Sequence, residues 1–356
     1  MQTAGMEKEK TNRPLANRQA GNNCLNLIRI LAAFQVMLGH IIEHIGLSGN
    51  AAFLQWIRFP SGVPIFFVIS GFLMWFSVGR SRTYGQFLKK RFWRIYPELW
   101  GAVIVEIIVL LLLYHDWDIK SLLLFAFGQA SVFQFWTPGS LRGYGVGTPN
   151  GALWTIGVMI QFYLVVWFFY RLMKNRKMAV WIIVLAVSFA VSWAGDFITH
   201  RAAQNPVIGK LYGQTFIRYF WLFCFGMLIA EFKDRLLPVL RKYWYVSLIV
   251  AYLFFRTEWD LFSGYYLGWS LFLTAGALGF AYRFPRLSIQ PDISYGLFLY
   301  HMTIVNLFVC FGWVGNWICA IPIAAISILL AYLSTVTAGR ISAGRRRKIS
   351  LTAQDG

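Results

Sequence analysis

Charge is scarce in this chain, and negative charge most of all. Acidic residues number 14 against 33 Lys and Arg, and charged residues make up only 13% of the 356 positions. A soluble domain carries about 25% charged residues, so too little polar surface is present to cover this chain in water. Cysteine is also scarce. Cys24, Cys224, Cys310 and Cys319 form no CxxC pair and sit in or beside apolar runs. They read as small buried side chains, not as a redox motif or a metal ribbon. The first 23 residues are polar and contain no signal-peptide h-region, so the first membrane helix itself is expected to direct insertion. No internal repeat is visible, which counts against a transporter built from inverted halves.

Apolar sequence is what the chain has in abundance: 58% of it is hydrophobic. Apolar runs fall near 25–45, 60–78, 99–114, 119–136, 151–170, 179–198, 214–230, 243–255, 263–281, 293–311 and 317–338. A helix needs about 20 apolar residues to cross the hydrocarbon, so the expected fold is all-α, a polytopic membrane bundle. The run 119–136 is the weakest, because it holds Gln129, Ser131 and Gln134. If it does not cross and the N-terminus is cytoplasmic, most Lys and Arg residues fall on the inner side. They then cluster around residues 80–94, 171–177, 233–242, 283–286 and 340–348. If it does cross, the bias disappears. The positive-inside rule therefore favours ten spans with both ends cytoplasmic and 119–136 re-entrant or interfacial on the outer side. The expected division is a cytoplasmic tail at 1–23, a membrane domain at 24–340 and a basic cytoplasmic tail at 341–356. Positive charge confined to such loops reads as membrane topology, and no nucleic-acid partner is expected.

Two ionisable residues, Arg29 and His40, lie inside the first span, LNLIRILAAFQVMLGHIIEHI. Such residues are costly in a membrane and face a bundle interior or polar cavity. Eleven residues is about 20° more than three helical turns, so both share a face roughly 16 Å apart. One stripe thus offers an anion binder toward the cytoplasmic end and a proton acceptor deeper in. The bland alternative is an Arg reaching lipid headgroups and a His bonded to a neighbouring helix. His40, Glu43 and His44 also match the H-x-x-E-H metallopeptidase string, but no third ligand is evident, and no metal is expected.

Five stretches in order resemble the acyltransferase-3 family of membrane acyltransferases. Arg29 with His40 resembles the family's R-x10-H signature. Gly62-Val63-Pro64-Ile65-Phe66-Phe67-Val68-Ile69-Ser70-Gly71-Phe72 is similar to its GV-x-x-FFVxSGF stretch. Arg91-Phe92-Trp93-Arg94-Ile95-Tyr96-Pro97 resembles its R-x-x-R-x-x-P loop, and Leu153-Trp154-Thr155-Ile156-Gly157-Val158-Met159 opens a fourth match. Ser294-Tyr295 through Tyr300-His301 resembles the late SYxLYLxH helix. The resemblance implies an O-acyltransferase using acyl-CoA as donor substrate, with no permanently bound cofactor. It implies His40 as essential for transfer, with Arg29, Arg91 and Arg94 binding the donor. Arg forks suit the phosphates of coenzyme A.

Neutral imidazole suits removal of a hydroxyl proton near pH 7, and Glu43, one turn on, is the expected orienting acid. Trp154 and His301 are expected acceptor contacts. Ser70, in a small-residue turn, reads as a packing residue. One departure stands out: Met159 occupies a position where the family carries Glu, and Glu106 is a possible substitute acid. The acceptor implied is a cell-surface carbohydrate such as O-antigen or exopolysaccharide, the acyl group acetyl, and the location the inner membrane, among membrane lipids. Two rivals are an exporter of a glycan, marked by flux without acyl-CoA consumption, and a zinc peptidase on His40 and His44.

Overall fold

The computed structural model describes residues 22–59, 61–201, 206–257 and 267–351. The expected N-terminal tail with Lys8, Lys10, Arg13 and Arg18 lies outside the described residues, as do the first residues of the expected 263–281 span. Every regular element among the described residues is helical. In order these are α1 (Leu25–Ile45), α2 (Ala51–Arg58), α3 (Gly62–Gly79), α4 (Tyr84–Leu113), α5 (Ile119–Ala130), α6 (Trp154–Met173), α7 (Met178–Arg201), α8 (Pro206–Gly213), α9 (Phe220–Glu231), α10 (Lys233–Thr257), α11 (Leu267–Arg283), α12 (Ser294–Cys310), α13 (Ala320–Val336) and α14 (Ala338–Leu351). Seven are long and apolar enough to cross a membrane, and the bent pair formed by Val207–Gly213 and Phe216–Glu231 makes an eighth candidate.

The centre of the bundle is α3, apolar on every side as a fully surrounded helix should be, while α7 and α10 lie at the periphery. Close approach explains its glycines. A Cβ on Gly71 would run into the Phe223 backbone of α9, and one on Gly226 of α9 into the Val68 backbone of α3. Small residues let membrane helices touch backbone to backbone, where dispersion and not water release drives association. α12 packs against α1, α13 and α4, which brings the end of the sequence beside its beginning.

Two expectations are corrected. The Arg91–Pro97 stretch is helical rather than a loop: α4 starts at Tyr84, capped by the Thr83 side chain, and runs through Pro97. The basic segment after 340 is not a free tail, since α14 carries on from α13 past a break at Thr337 and packs along α4.

The segment after α4 enters and leaves at one end. Asp118 caps α5 by accepting from Ser121 N at 2.8 Å. Twelve residues rise only about 18 Å, too short to cross. α5 runs back along α4 until the Ala130 and Ser131 carbonyls accept from Trp100 Nε1 and Tyr96 Oη. The chain then returns, and the Ser140 carbonyl accepts from Tyr114 Oη at 2.7 Å. This hairpin is re-entrant in form. Its tip is closed by Gln129 and Gln134, each donating to the other's backbone carbonyl. Polar residues that weaken the run as a span are thus what turns it around.

Candidate active site

α1 presents Arg29 and His40 to the α12 unit, as their shared face requires. Arg29 Nη1 pairs with Asp292 Oδ2 at 2.5 Å. Asp292 Oδ1 also accepts from the backbone N and Oγ of Ser294, fixing the start of α12. Burial pushes the Asp292 carboxyl up, but the Arg29 charge and the Ser294 hydrogen bonds outweigh it and hold it below the usual carboxylate range.

Eleven residues along α1, His40 Nδ1 stands 2.8 Å from His301 Nε2, with the two rings nearly coplanar at 9°. His301 is fully buried, and its Nδ1 lies 2.9 Å from the Leu297 carbonyl. A carbonyl oxygen only accepts, so His301 Nδ1 carries the hydrogen. A neutral His301 then has a bare Nε2, which accepts the His40 Nδ1–H. The remaining nitrogen of His40, Nε2, is left with its lone pair. Two linked tautomers thus fix which edge of His40 is basic.

A cavity of about 120 Å³ lies between α1, α3, α4, α6 and α12. Its polar wall includes Arg29, Arg94, Tyr163, Ser70 and Ser294, and Phe66 and Phe298 are among the apolar residues. Phe298 is the shared wall, its ring 6.1 Å from that of His301. Arg94 pairs with Glu98 at 3.6 Å and lies over the Tyr295 ring. Arg91 donates to Ser77 Oγ at 2.7 Å and lies over the rings of Phe87 and Tyr163. Arg29 and Arg94 line the chamber, and Arg91 stands behind its Tyr163 wall, one helical turn from Arg94 on α4.

The other expected residues divide. Met159 lines the same cavity beside Thr155 and Ile156. Ser70 lines it too, so the packing expected of Ser70 is done by its neighbour Gly71. Trp154 is not part of the wall and packs on Tyr219 at 5.3 Å. Glu43, expected to orient the His40 ring, is exposed, and His301 engages Nδ1 of that ring. His301 points at His40 instead of an open acceptor space. His44 lies 5.7 Å from His40, ring to ring. Glu106 is buried on α4 with neither carboxylate oxygen hydrogen-bonded, outside the cavity wall.

Two residues escaped the sequence reading. Asp292 lies in a polar loop that nothing local marks as a partner for Arg29. Asn306, inside an apolar run, did carry a signal as an intramembrane polar residue. It accepts from Val146 N and donates to the Thr148 and Pro149 carbonyls, clamping the returning limb of the hairpin onto α12. Gly145, at φ 54, supplies the left-handed turn there, and a Cβ would strike the Asn306 side chain.

Comparison with known proteins places the chain in a family. A family described as an acyltransferase domain matches residues 22–336. Nodulation protein 10 of Rhizobium leguminosarum bv. viciae is 29% identical over 325 residues, covering 83% of this chain and 86% of that protein. An O-acetyl transferase of Shigella phage Sf6 is 24% identical, covering 78% and 83%. The peptidoglycan O-acetyltransferase OatA of Listeria monocytogenes is 25% identical, with 69% of this chain aligned to 45% of that longer protein. No solved structure is significantly similar to the chain.

Proposed function

The chain belongs to the acyltransferase-3 family, and from that premise we propose that this multi-pass membrane O-acyltransferase moves an acetyl group from acetyl-CoA to a hydroxyl of a cell-surface carbohydrate. The observation that carries the reading is the paired arrangement on α1. Arginines gather around a cavity at one level, and an imidazole with a fixed basic edge stands about 16 Å further along the same face.

Arg29, Arg91 and Arg94 hold the phosphates of the donor, and the acyl thioester extends past Phe298 toward His40. His40 Nε2 takes the proton of the acceptor hydroxyl as its oxygen attacks the thioester carbonyl. The carbon–sulfur bond breaks, and the imidazolium returns the proton to the departing thiolate. The products are the ester and free coenzyme A. His301 holds the His40 ring and tautomer through this cycle without touching the acceptor. The basic end of the bundle faces the cytoplasm and the hairpin loops face outward, in an inner membrane. An O-antigen, exopolysaccharide or lipid-linked glycan is the acceptor class.

The test is glycan acetylation and acetyl-CoA consumption in cells lacking their own enzyme, expressing either this chain or its His40→Ala form. General-base removal lowers the rate about 10²- to 10⁴-fold, so the variant should leave almost no ester at equal membrane levels. Ester formed equally by both would remove His40 from the mechanism.

A further inference from the structure

The C-terminal helix brings another guanidinium to the arginine cluster. α14 lies antiparallel along the first half of α4. At one end, Gly339 abuts the Glu98 carboxylate. At the other, the Ile349 carbonyl accepts from Gln86 Nε2 at 3.1 Å. Gly339, Ser342, Arg346 and Ile349 recur at helical spacing and form one stripe, of which Ser342 is fully buried. Arg346 therefore sits between those two anchor points on the stripe that meets α4, its Nε donating to the Ser342 carbonyl at 3.3 Å. Its guanidinium is near enough to feel the charges of Arg94, Arg91, Glu98 and Arg29. Its neighbours do something else: Arg345 lies over the Trp93 ring, and Arg347 is exposed.

Four guanidiniums then share this region with two carboxylates, Asp292 and Glu98. Bringing like charges together in a partly dry setting is unfavourable unless an anion joins them. Planar guanidinium forks gathered close together are an arrangement that recognises phosphate oxygens.

We propose that Arg346 is a fourth donor-binding arginine, holding a phosphate of a coenzyme A thioester at the mouth of the cavity. It lies beyond residue 336, where the family match ends, so part of the donor site is supplied from outside the matched domain. The inference rests on the reading of Arg29, Arg91 and Arg94 as the donor's cradle.

The experiment uses the full chain in nanodiscs of neutral lipid, titrated with coenzyme A and with 3′-dephospho-coenzyme A. Arg346→Gln should weaken coenzyme A binding about tenfold or more, the scale of one hydrogen bond to a charged group. It should also flatten the salt dependence of binding, while Arg347→Gln matches the parent in both. Arg346→Lys should bind between the two, because it keeps the charge and loses the fork. It also keeps the test alive if the glutamine variant fails to fold. A smaller preference of Arg346→Gln for coenzyme A over the dephospho form would assign the contact to the 3′-phosphate, and an unchanged preference to the diphosphate. Unaltered coenzyme A binding by Arg346→Gln overturns the inference and leaves the acyltransferase reading intact. Loss confined to discs containing phosphatidylglycerol overturns it in favour of a lipid headgroup. If the parent protein binds no coenzyme A, the donor reading falls and this inference with it.

Discussion

His301 is buried against His40 and donates to the carbonyl of Leu297. A residue that acts only through another should change kcat and leave KM alone. His301→Ala should therefore lower kcat about 10- to 100-fold, part of the general-base contribution, with acceptor KM within about twofold. An acceptor contact would instead raise KM, so steady-state kinetics with varied acceptor decides between them. The Arg29–Asp292 pair is about one-fifth exposed on each side. Breaking a buried pair from one side costs about 3 kcal/mol. Arg29→Gln and Asp292→Asn should each destabilise by up to that amount, and the double variant by less than their sum, in thermal unfolding of the solubilised protein. Because the folded Asp292 carboxyl is held below its ordinary value of 3.8, its contribution is complete above that value. It is lost as pH falls through the lower folded value, so Asp292→Asn should flatten the acid side of the stability profile. Arg29 and His40 were legible in sequence because an ionisable group within an apolar run is conspicuous. Their partners were not, because they sit 263 and 261 positions away and no local period reports so distant a contact.

Among the elements, the α3–α9 crossing and the hairpin after α4 have the sharpest consequences. Gly71→Val would force a side chain into the Phe223 backbone, whereas Gly39 has nothing within 4 Å of where a Cβ would stand. Overpacking against rigid backbone costs about 3 kcal/mol or more, so Gly71→Val should unfold at markedly lower temperature and Gly39→Ala should stay within about 1 kcal/mol of the parent. The hairpin predicts one-sided labelling. Cysteines at Asp118 and Ser140, in a background free of the native four, should both react with an impermeant thiol reagent from the same face of the membrane. Reaction from opposite faces would mean that the segment crosses. Helix positions were readable from apolar runs, since the bundle is built from them. The helical course of 91–97 was not, because Pro97 normally ends a helix and contacts distant in sequence, with α3, α6, α12 and α14 and with the hairpin at Ser131, surround this turn.

For the whole molecule, the contacts that organise the basic end are legible only in three dimensions. Glu231 accepts from Trp75 Nε1 and Asn175 N, and α1 begins by donating Cys24 N to the Ala281 carbonyl. Basic connections scattered through the sequence are thereby gathered at one end. Reporters fused to the N- and C-termini should accordingly report the same compartment, and opposite signals would refute the proposed orientation. Charge distribution anticipated this arrangement. It could not anticipate α14, whose polar composition resembles a solvated tail until the acidic and amide groups of α4 give it a seat.

The contacts between α1 and α12 also fix when the protein comes to life. Ribosomes deliver α1 first and α12 near the end, so the imidazole and the guanidinium of α1 wait in the membrane without partners through most of synthesis. A nascent chain, or one cut short before α12, holds neither the His40–His301 hydrogen bond nor the Arg29–Asp292 ion pair. On the proposed mechanism, an intermediate that lacks α12 cannot orient the His40 base, and the donor site is complete only once α14 has followed.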